Sequence, residues 1–145
     1  MTGETKPAIG IVVVTHGQLA RALVAALEHV VGPQERVRTV CIEPDDDADQ
    51  RRAEILRAIE AVDGGRGVVV LTDMFGGTPS NLALAALERR GVEVLAGANL
   101  PMLVKLASVR YQLPLEEAVE AAAEAGRRYI RFARRYLGET GKSGR

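Results

Sequence analysis

Unbroken apolar runs alternate along the chain with stretches in which apolar residues recur every three or four positions. Residues 8–15 (AIGIVVVT), 67–73 (GVVVLTD) and 92–96 (VEVLA) are rich in β-branched residues. Such runs are typical of parallel strands that helices cover on both faces. Residues 36–42 (RVRTVCI) contain more polar positions. This composition predicts a further strand, second in chain order, at an edge of the sheet.

The stretches between these runs predict amphipathic helices. Residues 19–31 and residues 48–62 each carry apolar residues at the spacing of one helix face, which is the pattern of a helix that packs against a core. The residues on these faces are Leu19, Leu23, Leu27 and Val30 in the first helix and Ile55, Leu56, Ile59 and Val62 in the second.

Proline-containing signals mark helix starts in the second half of the chain. Residues 78–79 (TP) and residues 99–101 (NLP) each combine a capping residue with proline near the first helical position, a pattern that favours a helix N-terminus. Pro114 is expected to begin another helix, which Gly126 would end. Residues 127–132 (RRYIRF) then have the aromatic and β-branched content of a strand, and a continued helix is the alternative.

Strands that alternate with helices predict an α/β fold with a doubly wound, mostly parallel sheet and helices on both faces. Because the polar second strand belongs at an edge, right-handed crossovers favour the strand order 2-1-3-4. Ligands of such sheets bind outside the carboxyl ends of the strands where the order reverses, here strands 1 and 3. His16 follows strand 1 and Asp73 ends strand 3. We therefore expect both side chains in one crevice.

The size and charge of the chain limit the classes of function. Its 145 residues suffice for one domain, expected over residues 8–137, between a short extension (residues 1–7) and a flexible tail (residues 138–145). The 19 basic residues balance the 19 acidic ones. Basic residues are in excess beyond residue 126, but no aromatic platform for bases accompanies them. We therefore expect no nucleic-acid partner.

The sequence also bears on location. A single cysteine, Cys41, excludes an internal disulfide. Residues 1–7 lack the apolar core of a signal peptide, and no uncharged apolar stretch reaches the length needed to span a membrane. We therefore expect a soluble, cytoplasmic protein that does not insert into a membrane.

The residues expected in the crevice suit phosphoryl transfer. Gly76 and Gly77 allow close approach of the backbone to a ligand, and the helices that begin after Gly17 and at Thr78 present N-termini, which favour anions. A histidine there can act as the nucleophile and form a phosphohistidine. A carboxylate can fix its tautomer through the other ring nitrogen, while the glycine loop and the threonine cradle phosphoryl oxygens.

Other candidate residues have simpler interpretations. His29 belongs to the face of a helix, and two histidines with one cysteine, scattered along the chain, are a poor set of metal ligands. Residues 43–49 (EPDDDAD) lack the glycine and the closing glutamate of a calcium loop and are interpreted as helix-capping acids. Ser80 lies just inside a helix without a nucleophile elbow. No nucleotide-binding glycine motif is present, so no cofactor and no metal are expected.

Three motifs follow one another in the chain: residues 10–17 (GIVVVTHG), 71–81 (LTDMFGGTPSN) and 96–103 (AGANLPML). Together they resemble the enzyme IIA component of the mannose-family (mannose/fructose/sorbose) phosphoenolpyruvate-dependent sugar phosphotransferase system (PTS) of bacteria. The similarity covers nearly the whole expected domain.

The resemblance implies a role for each residue of the crevice. His16 would accept a phosphoryl group on Nε2 from the phosphocarrier protein HPr and pass it to a IIB component, expected to be a separate protein. Asp73 would hydrogen-bond Nδ1. Gly76, Gly77 and Thr78 would form the loop at the phosphoryl group.

The resemblance further implies a homodimer in which residues 127–132 supply an antiparallel strand exchanged between subunits. Sugar uptake and a purely regulatory role, in which another protein senses the phosphorylation state, fit equally well, and the sequence names no sugar. Two alternatives stay open. One is the related phosphotransfer domain that serves a dihydroxyacetone kinase, and the other is an anion- or metabolite-sensing domain in which His16 is never phosphorylated.

Overall fold

The computed structural model describes residues 7–144, with side chains described through residue 138. Most of the expected N-terminal extension lies outside the described residues. The elements in chain order are β1 (Gly10–His16), α1 (Leu19–Val31), β2 (Val37–Ile42), α2 (Ala48–Val62), β3 (Val68–Thr72), α3 (Thr78–Leu84), a short 3-10 helix (Ala85–Glu88), β4 (Val92–Ala96), α4 (Leu100–Val109), α5 (Leu115–Arg128) and α6 (Ala133–Gly144).

The four strands form one parallel sheet in the order β2-β1-β3-β4, which confirms the predicted order. Val14 of β1 pairs with Thr72 of β3. His16 therefore lies two residues beyond this pair, and Asp73 lies one residue beyond it. This register places both side chains at the edge where the strands end, which we call the carboxyl edge of the sheet.

The two faces of the sheet carry separate cores, as the unbroken apolar strands predicted. Side chains of a strand point alternately to its two faces. Val12 and Val14 of β1 pack with α2 and α3 on one face, while Ile11 and Val13 pack with α1, α4 and α5 on the other. All four are fully buried. The helices on both faces explain why β1 is apolar from Ile11 to Val14.

The predicted bounds of the first two helices are confirmed, but their buried faces are narrower than predicted. Leu27 of α1 is fully buried, whereas Leu19 and Val30 are 43% and 57% exposed. In α2, Leu56 is 40% exposed. The helical spacing correctly identified which side faces the sheet. Leu19, Val30 and Leu56 lie outside the buried part of that side.

Gly126 does not end a helix, as the sequence had suggested. Helix α5 continues through it to Arg128. A Cβ atom at this position would lie 3.0 Å from Cε of Met102, and Asn99 donates from Nδ2 to the carbonyl of Gly126 at 3.1 Å. The glycine thus allows α5 to lie close to the start of α4, and it serves helix packing rather than helix termination.

The chain from residue 127 to 132 (RRYIRF), expected as an antiparallel strand, does not join the sheet. Its first two residues close α5, and Ile130, Arg131 and Phe132 have no regular structure before α6 begins. Exchange of a strand between two subunits stays a prediction. Residues 138–144, expected as a tail, continue α6.

A buried arginine closes the opposite edge of the sheet, where the strands begin, which we call the amino edge. Arg110 follows α4 and is fully buried. Its guanidinium donates to the carbonyls of Ile9 at 3.2 Å and Glu35 at 2.7 Å, and to Oε1 of Gln34 at 3.1 Å. Arg110 thereby joins the segments that lead into β1 and β2.

Within residues 7–144, no helix is long and apolar enough to cross a membrane.

Candidate functional site

The candidate site forms where the ends of β1 and β3 meet the starts of α1 and α3. His16 is the last residue of β1, and Asp73 follows β3 directly. The two residues are 57 positions apart in sequence. They meet because β1 and β3 are neighbours in a parallel sheet, whose carboxyl ends lie at the same edge. This confirms the predicted meeting of the two side chains.

One carboxylate oxygen of Asp73 holds His16 at two points. Oδ2 accepts the backbone N–H of His16 at 3.1 Å and lies 2.8 Å from Nδ1 of the imidazole. A carboxylate only accepts hydrogen bonds, so the proton of the neutral ring belongs on Nδ1. The lone pair then belongs to Nε2. The His16 side chain is 52% exposed, whereas that of Asp73 is 14% exposed.

The other carboxylate oxygen is held by its own neighbours. Oδ1 of Asp73 accepts the backbone N–H of Met74 at 3.1 Å and the hydroxyl of Thr72 at 3.4 Å. Partial burial acts to raise the pKa of Asp73, but the hydrogen bonds from the side chain and backbone of His16 outweigh it. The pKa therefore lies below its usual value, and Asp73 is the anion that the tautomer assignment requires.

The Nε2 side of the imidazole faces the glycine loop. A Cβ atom on Gly77 would lie 2.7 Å from Cε1 and 2.8 Å from Nε2 of His16, which is closer than real Cβ contacts. Only glycine leaves room for the ring there. Among the side chains described through residue 138, none is recorded in a hydrogen bond with Nε2.

The predicted phosphoryl-binding residues divide into two groups. The N–H of Gly17 donates to the carbonyl of Ile42 at 2.8 Å, and that of Gly76 donates to Oγ of Ser80 at 3.0 Å. These two glycines have φ of +54° and +92°, so they shape turns, and their N–H groups are already used within the protein. That Gly17 and Gly76 bind a phosphoryl group stays a prediction.

Thr78 lies at the site, but not as the helix cap that the sequence suggested. Gly77 is the capping residue, and Thr78 is the first residue of α3. Thr78 instead lines a cavity of about 540 Å³ together with His16 and Gly17. Of these two loop residues, Gly77 adjoins the ring and Thr78 lines the cavity.

The far wall of this cavity carries charge that the sequence did not assign to the site. Arg51 of α2 lines it, beside Glu43 and Asp46. Nε of Arg51 lies 2.8 Å from Oδ2 of Asp46, and this hydrogen bond holds the pKa of Asp46 below its usual value. Asp47 caps α2, accepting from the N–H of Asp49 at 2.8 Å. The acidic stretch is a capping segment, as predicted.

The geometry defines what the site can do chemically. An imidazole whose Nδ1 is held by a carboxylate, and whose Nε2 is accessible, can attack an electrophile through Nε2 while the carboxylate stabilises the positive charge that develops on the ring. The sequence predicted both residues of this pair. It did not identify Thr72 and Ser80, because hydroxyl groups inside regular elements carry no local signal of what they hold.

Comparison with known proteins supports the resemblance that the three sequence motifs indicated. A family model described as "PTS system fructose IIA component" matches residues 10–123. The chain is 34% identical over 125 residues to the mannose-specific EIIAB component of the PTS of Escherichia coli (strain K12), a match that covers 85% of this chain and 39% of that protein. This chain therefore spans less than half the length of that relative.

Shorter relatives match along most of their length. The chain is 31% identical over 98 residues to the sorbose-specific EIIA component of Lacticaseibacillus casei, with 67% of this chain and 70% of that protein covered. A crystal structure of the PTS IIA protein associated with the fucose utilization operon of Streptococcus pneumoniae superimposes with a TM-score of 0.77 at 29% identity, covering 92% of this chain and 99% of that one. The chain belongs to the EIIA components of the mannose/fructose/sorbose family of the sugar phosphotransferase system.

Proposed function

We propose that this chain is a phosphoryl carrier, which accepts a phosphoryl group from phospho-HPr on Nε2 of His16 and passes it to a IIB component. The observation that carries the proposal is the contact of 2.8 Å between Nδ1 of His16 and Oδ2 of Asp73 on a ring that is half exposed. This contact occupies one ring nitrogen and leaves the other for the incoming group. Membership of the EIIA family supports the same chemistry.

In the accepting step, the lone pair on Nε2 attacks the phosphorus of the donor's phosphohistidine. The bond between phosphorus and the donor nitrogen breaks as the new P–N bond forms, and the donor nitrogen keeps the electron pair. The proton on Nδ1 stays in place. The ring of His16 therefore becomes positively charged, and the carboxylate of Asp73 stabilises that charge. Transfer to the acceptor reverses these changes.

Two residues of the loop are the proposed contacts of the phosphoryl group. Gly77 adjoins Nε2, and Thr78 lines the cavity in front of it. Donors placed where negative charge lies stabilise a transferring phosphoryl group. Gly17 and Gly76 contribute by the shape of their turns.

Exposed apolar side chains beside the site support proteins as the phosphoryl donor and acceptor. Met74 and Phe75 follow Asp73 directly and are 56% and 61% exposed. Grouped apolar exposure of this kind is typical of protein-binding surfaces. Each partner must bring its reactive group within bonding distance of His16, so we infer that HPr and the IIB component use this rim in turn. A cytoplasmic location is part of the proposal.

We also infer a homodimer. Tyr129, Ile130 and Phe132 are 58%, 73% and 66% exposed, and Tyr129 borders an apolar groove between α1, α4 and α5. Such a concentration of large apolar side chains favours burial against another chain. Sedimentation of the full chain tests this inference, with a dimer expected. A monomer at every concentration tested would contradict it.

The test of the proposed function is the intact mass of the protein after incubation with phosphoenolpyruvate, enzyme I and HPr. We expect one acid-labile phosphoryl group on the wild type and on His29→Ala, which alters an exposed histidine of α1, and none on His16→Ala. Circular dichroism checks that His16→Ala stays folded. A wild type that accepts nothing from a cognate HPr would contradict the carrier role and favour the sensing alternative.

A further inference from the structure

The structure points to a second residue that controls how the His16 ring is placed, and we propose that Ser80 is a positioning residue for the phosphoryl-accepting imidazole. This inference rests on the proposed function, because its effect is read as a rate of phosphorylation. Ser80 is fully buried, and its hydrogen bonds go to the loop rather than to the ring. Its side chain acts through Gly76 and Gly77, of which Gly77 forms the wall on the Nε2 side of the ring.

The hydroxyl of Ser80 makes two hydrogen bonds to the backbone of the loop. Oγ accepts the N–H of Gly76 at 3.0 Å and donates to the carbonyl of Gly77 at 3.0 Å. Ser80 is fully buried, whereas Gly76 is exposed and Gly77 half-buried, so the hydroxyl anchors the loop from inside the protein. A single side chain thus fixes the peptide groups on both sides of the turn, at the point where Gly76 adopts a φ of +92°.

The loop held in this way sets the position of the imidazole. Gly77 lies so close to His16 that an added Cβ would fall 2.8 Å from Nε2. On the opposite side, Asp73 holds Nδ1 at 2.8 Å. The ring is therefore held between a carboxylate on its Nδ1 side and a glycine wall on its Nε2 side. Asp73 sets the tautomer, and the wall that Ser80 fixes sets the direction in which the Nε2 lone pair points.

Removal of the Ser80 hydroxyl changes the hydrogen bonds of the glycine loop. In Ser80→Ala, the carbonyl of Gly77 keeps the N–H of Asn81, which donates at 3.0 Å, but the N–H of Gly76 loses the partner that the structure records. Because Gly76 is exposed, this N–H can turn to solvent, and the loop loses the internal hydrogen bond that fixed its conformation. The peptide between Phe75 and Gly76 then becomes free to rotate, and the loop beside the ring is held less firmly.

The test measures the rate of His16 phosphorylation by phospho-HPr as HPr concentration is varied. For Ser80→Ala, we expect the limiting rate to fall roughly tenfold, about the effect of losing one hydrogen bond. The HPr concentration that gives half the limiting rate should be unchanged, because Ser80 is buried and cannot contact a protein partner. Ser80→Thr keeps the hydroxyl and should recover most of the rate.

A matched control separates positioning from stability. Ile59→Val shortens a side chain in the core between α2 and the sheet, away from the loop, and is expected to cost about 1 kcal/mol of folding free energy. It should leave the limiting rate unchanged. Nitrogen NMR of the His16 ring gives an independent measurement, and the Nδ1–H tautomer should persist in Ser80→Ala because Asp73 is intact.

The outcomes distinguish this inference from the proposed function. A wild type that is not phosphorylated would contradict the carrier role itself. If the wild type is phosphorylated and Ser80→Ala matches its rate, only the role of Ser80 is overturned. Loss of the folded state in Ser80→Ala, or an equal fall in rate in Ile59→Val, would also overturn it, since the hydroxyl would then serve stability alone.

Discussion

The two edges of the sheet are built around one polar side chain each, but they use it in opposite ways. At the amino edge, Arg110 is fully buried and donates to the carbonyls of Ile9 and Glu35 and to Gln34. At the carboxyl edge, the His16 side chain is half exposed, and among the residues that the structure describes, Asp73 holds one of its two ring nitrogens, Nδ1.

The difference shows what separates a structural polar group from a reactive one. The arginine is enclosed, and most of its donors are used within the protein, so its removal takes a donor away from each of these acceptors. The histidine is fixed in direction by Asp73 and Gly77, yet its Nε2 edge stays accessible. A group that is to react must be positioned by neighbours that do not occupy its reactive atom. The experiments below test this contrast.

The largest effect is expected at the amino edge. Arg110→Met should lower the free energy of unfolding by about 3 kcal/mol, because the buried carbonyl of Ile9 and the part-buried acceptors of Glu35 and Gln34 lose their donor. The rate of phosphorylation per folded molecule should not change. Arg89→Met is the matched control, since Arg89 makes only long, partly exposed contacts to Glu60 and Asp63 at 3.6 and 3.4 Å.

Denaturant titration measures both variants, and Arg89→Met should lose less than about 1 kcal/mol. An Arg110→Met protein as stable as the wild type would show that the buried guanidinium does not close the amino edge.

The next effect is expected at the carboxyl edge. Asp73→Asn keeps the shape of the side chain but removes the charge that stabilises the ring and fixes its tautomer. We expect phosphorylation to slow by roughly 10- to 100-fold, as when other partners that orient a reactive imidazole are altered. Asp63→Asn, which alters an aspartate at the amino edge, should keep the wild-type rate in a rapid-quench measurement. Equal rates for all three proteins would mean that Asp73 does not act on His16.

A smaller effect should separate the two glycines of the loop. Gly77→Ala brings a Cβ within 2.8 Å of Nε2 at an ordinary φ of −111°, so it should displace the ring and slow phosphorylation severalfold with little loss of stability. Gly76→Ala meets no atom within 4 Å but must adopt a φ of +92°, so it should mainly cost stability, about 1–2 kcal/mol.

Thermal unfolding and phosphorylation rates, measured on both glycine variants, test this separation. If Gly76→Ala slows transfer more than Gly77→Ala does, the contact between Gly77 and the ring is not what places His16.

The smallest effect concerns pH. The pKa of Asp73 is lower in the folded protein than its usual value of 3.8, so ionised Asp73 stabilises the fold above that value, and the contribution is lost as the pH falls through the lowered pKa. The difference in unfolding free energy between the wild type and Asp73→Asn should therefore shrink as the pH falls from about 5 to below that lowered pKa. A difference that stays constant over this range would contradict the charged role of Asp73.

The sequence predicted most of the sheet and the central pair of the site. Unbroken β-branched runs identify strands covered on both faces, and one polar strand fixes the order of the four. With the order known, His16 and Asp73 must meet, because both follow neighbouring parallel strands. Predictions of this kind succeed when a local pattern and a topological rule together determine the position of a residue.

Other features depend on contacts between segments distant in sequence. Gly126 resembles a helix end, and only the packing of α4 against α5 shows why a glycine is there. Arg110 is buried because it binds carbonyls from two other segments, and no local sequence pattern predicts these contacts. Ser80 has an ordinary place in the first turn of a helix, and its role depends on the conformation of the loop before it.

The most direct test of this account is to identify the ring nitrogen that carries the phosphoryl group. Long-range proton–nitrogen NMR of the phosphorylated protein distinguishes Nε2 from Nδ1 of His16. The account predicts a phosphoryl group on Nε2 and a proton on Nδ1 that remains hydrogen-bonded to Asp73. A phosphoryl group on Nδ1 would contradict it, because the contact with Asp73 would then have to break before the reaction.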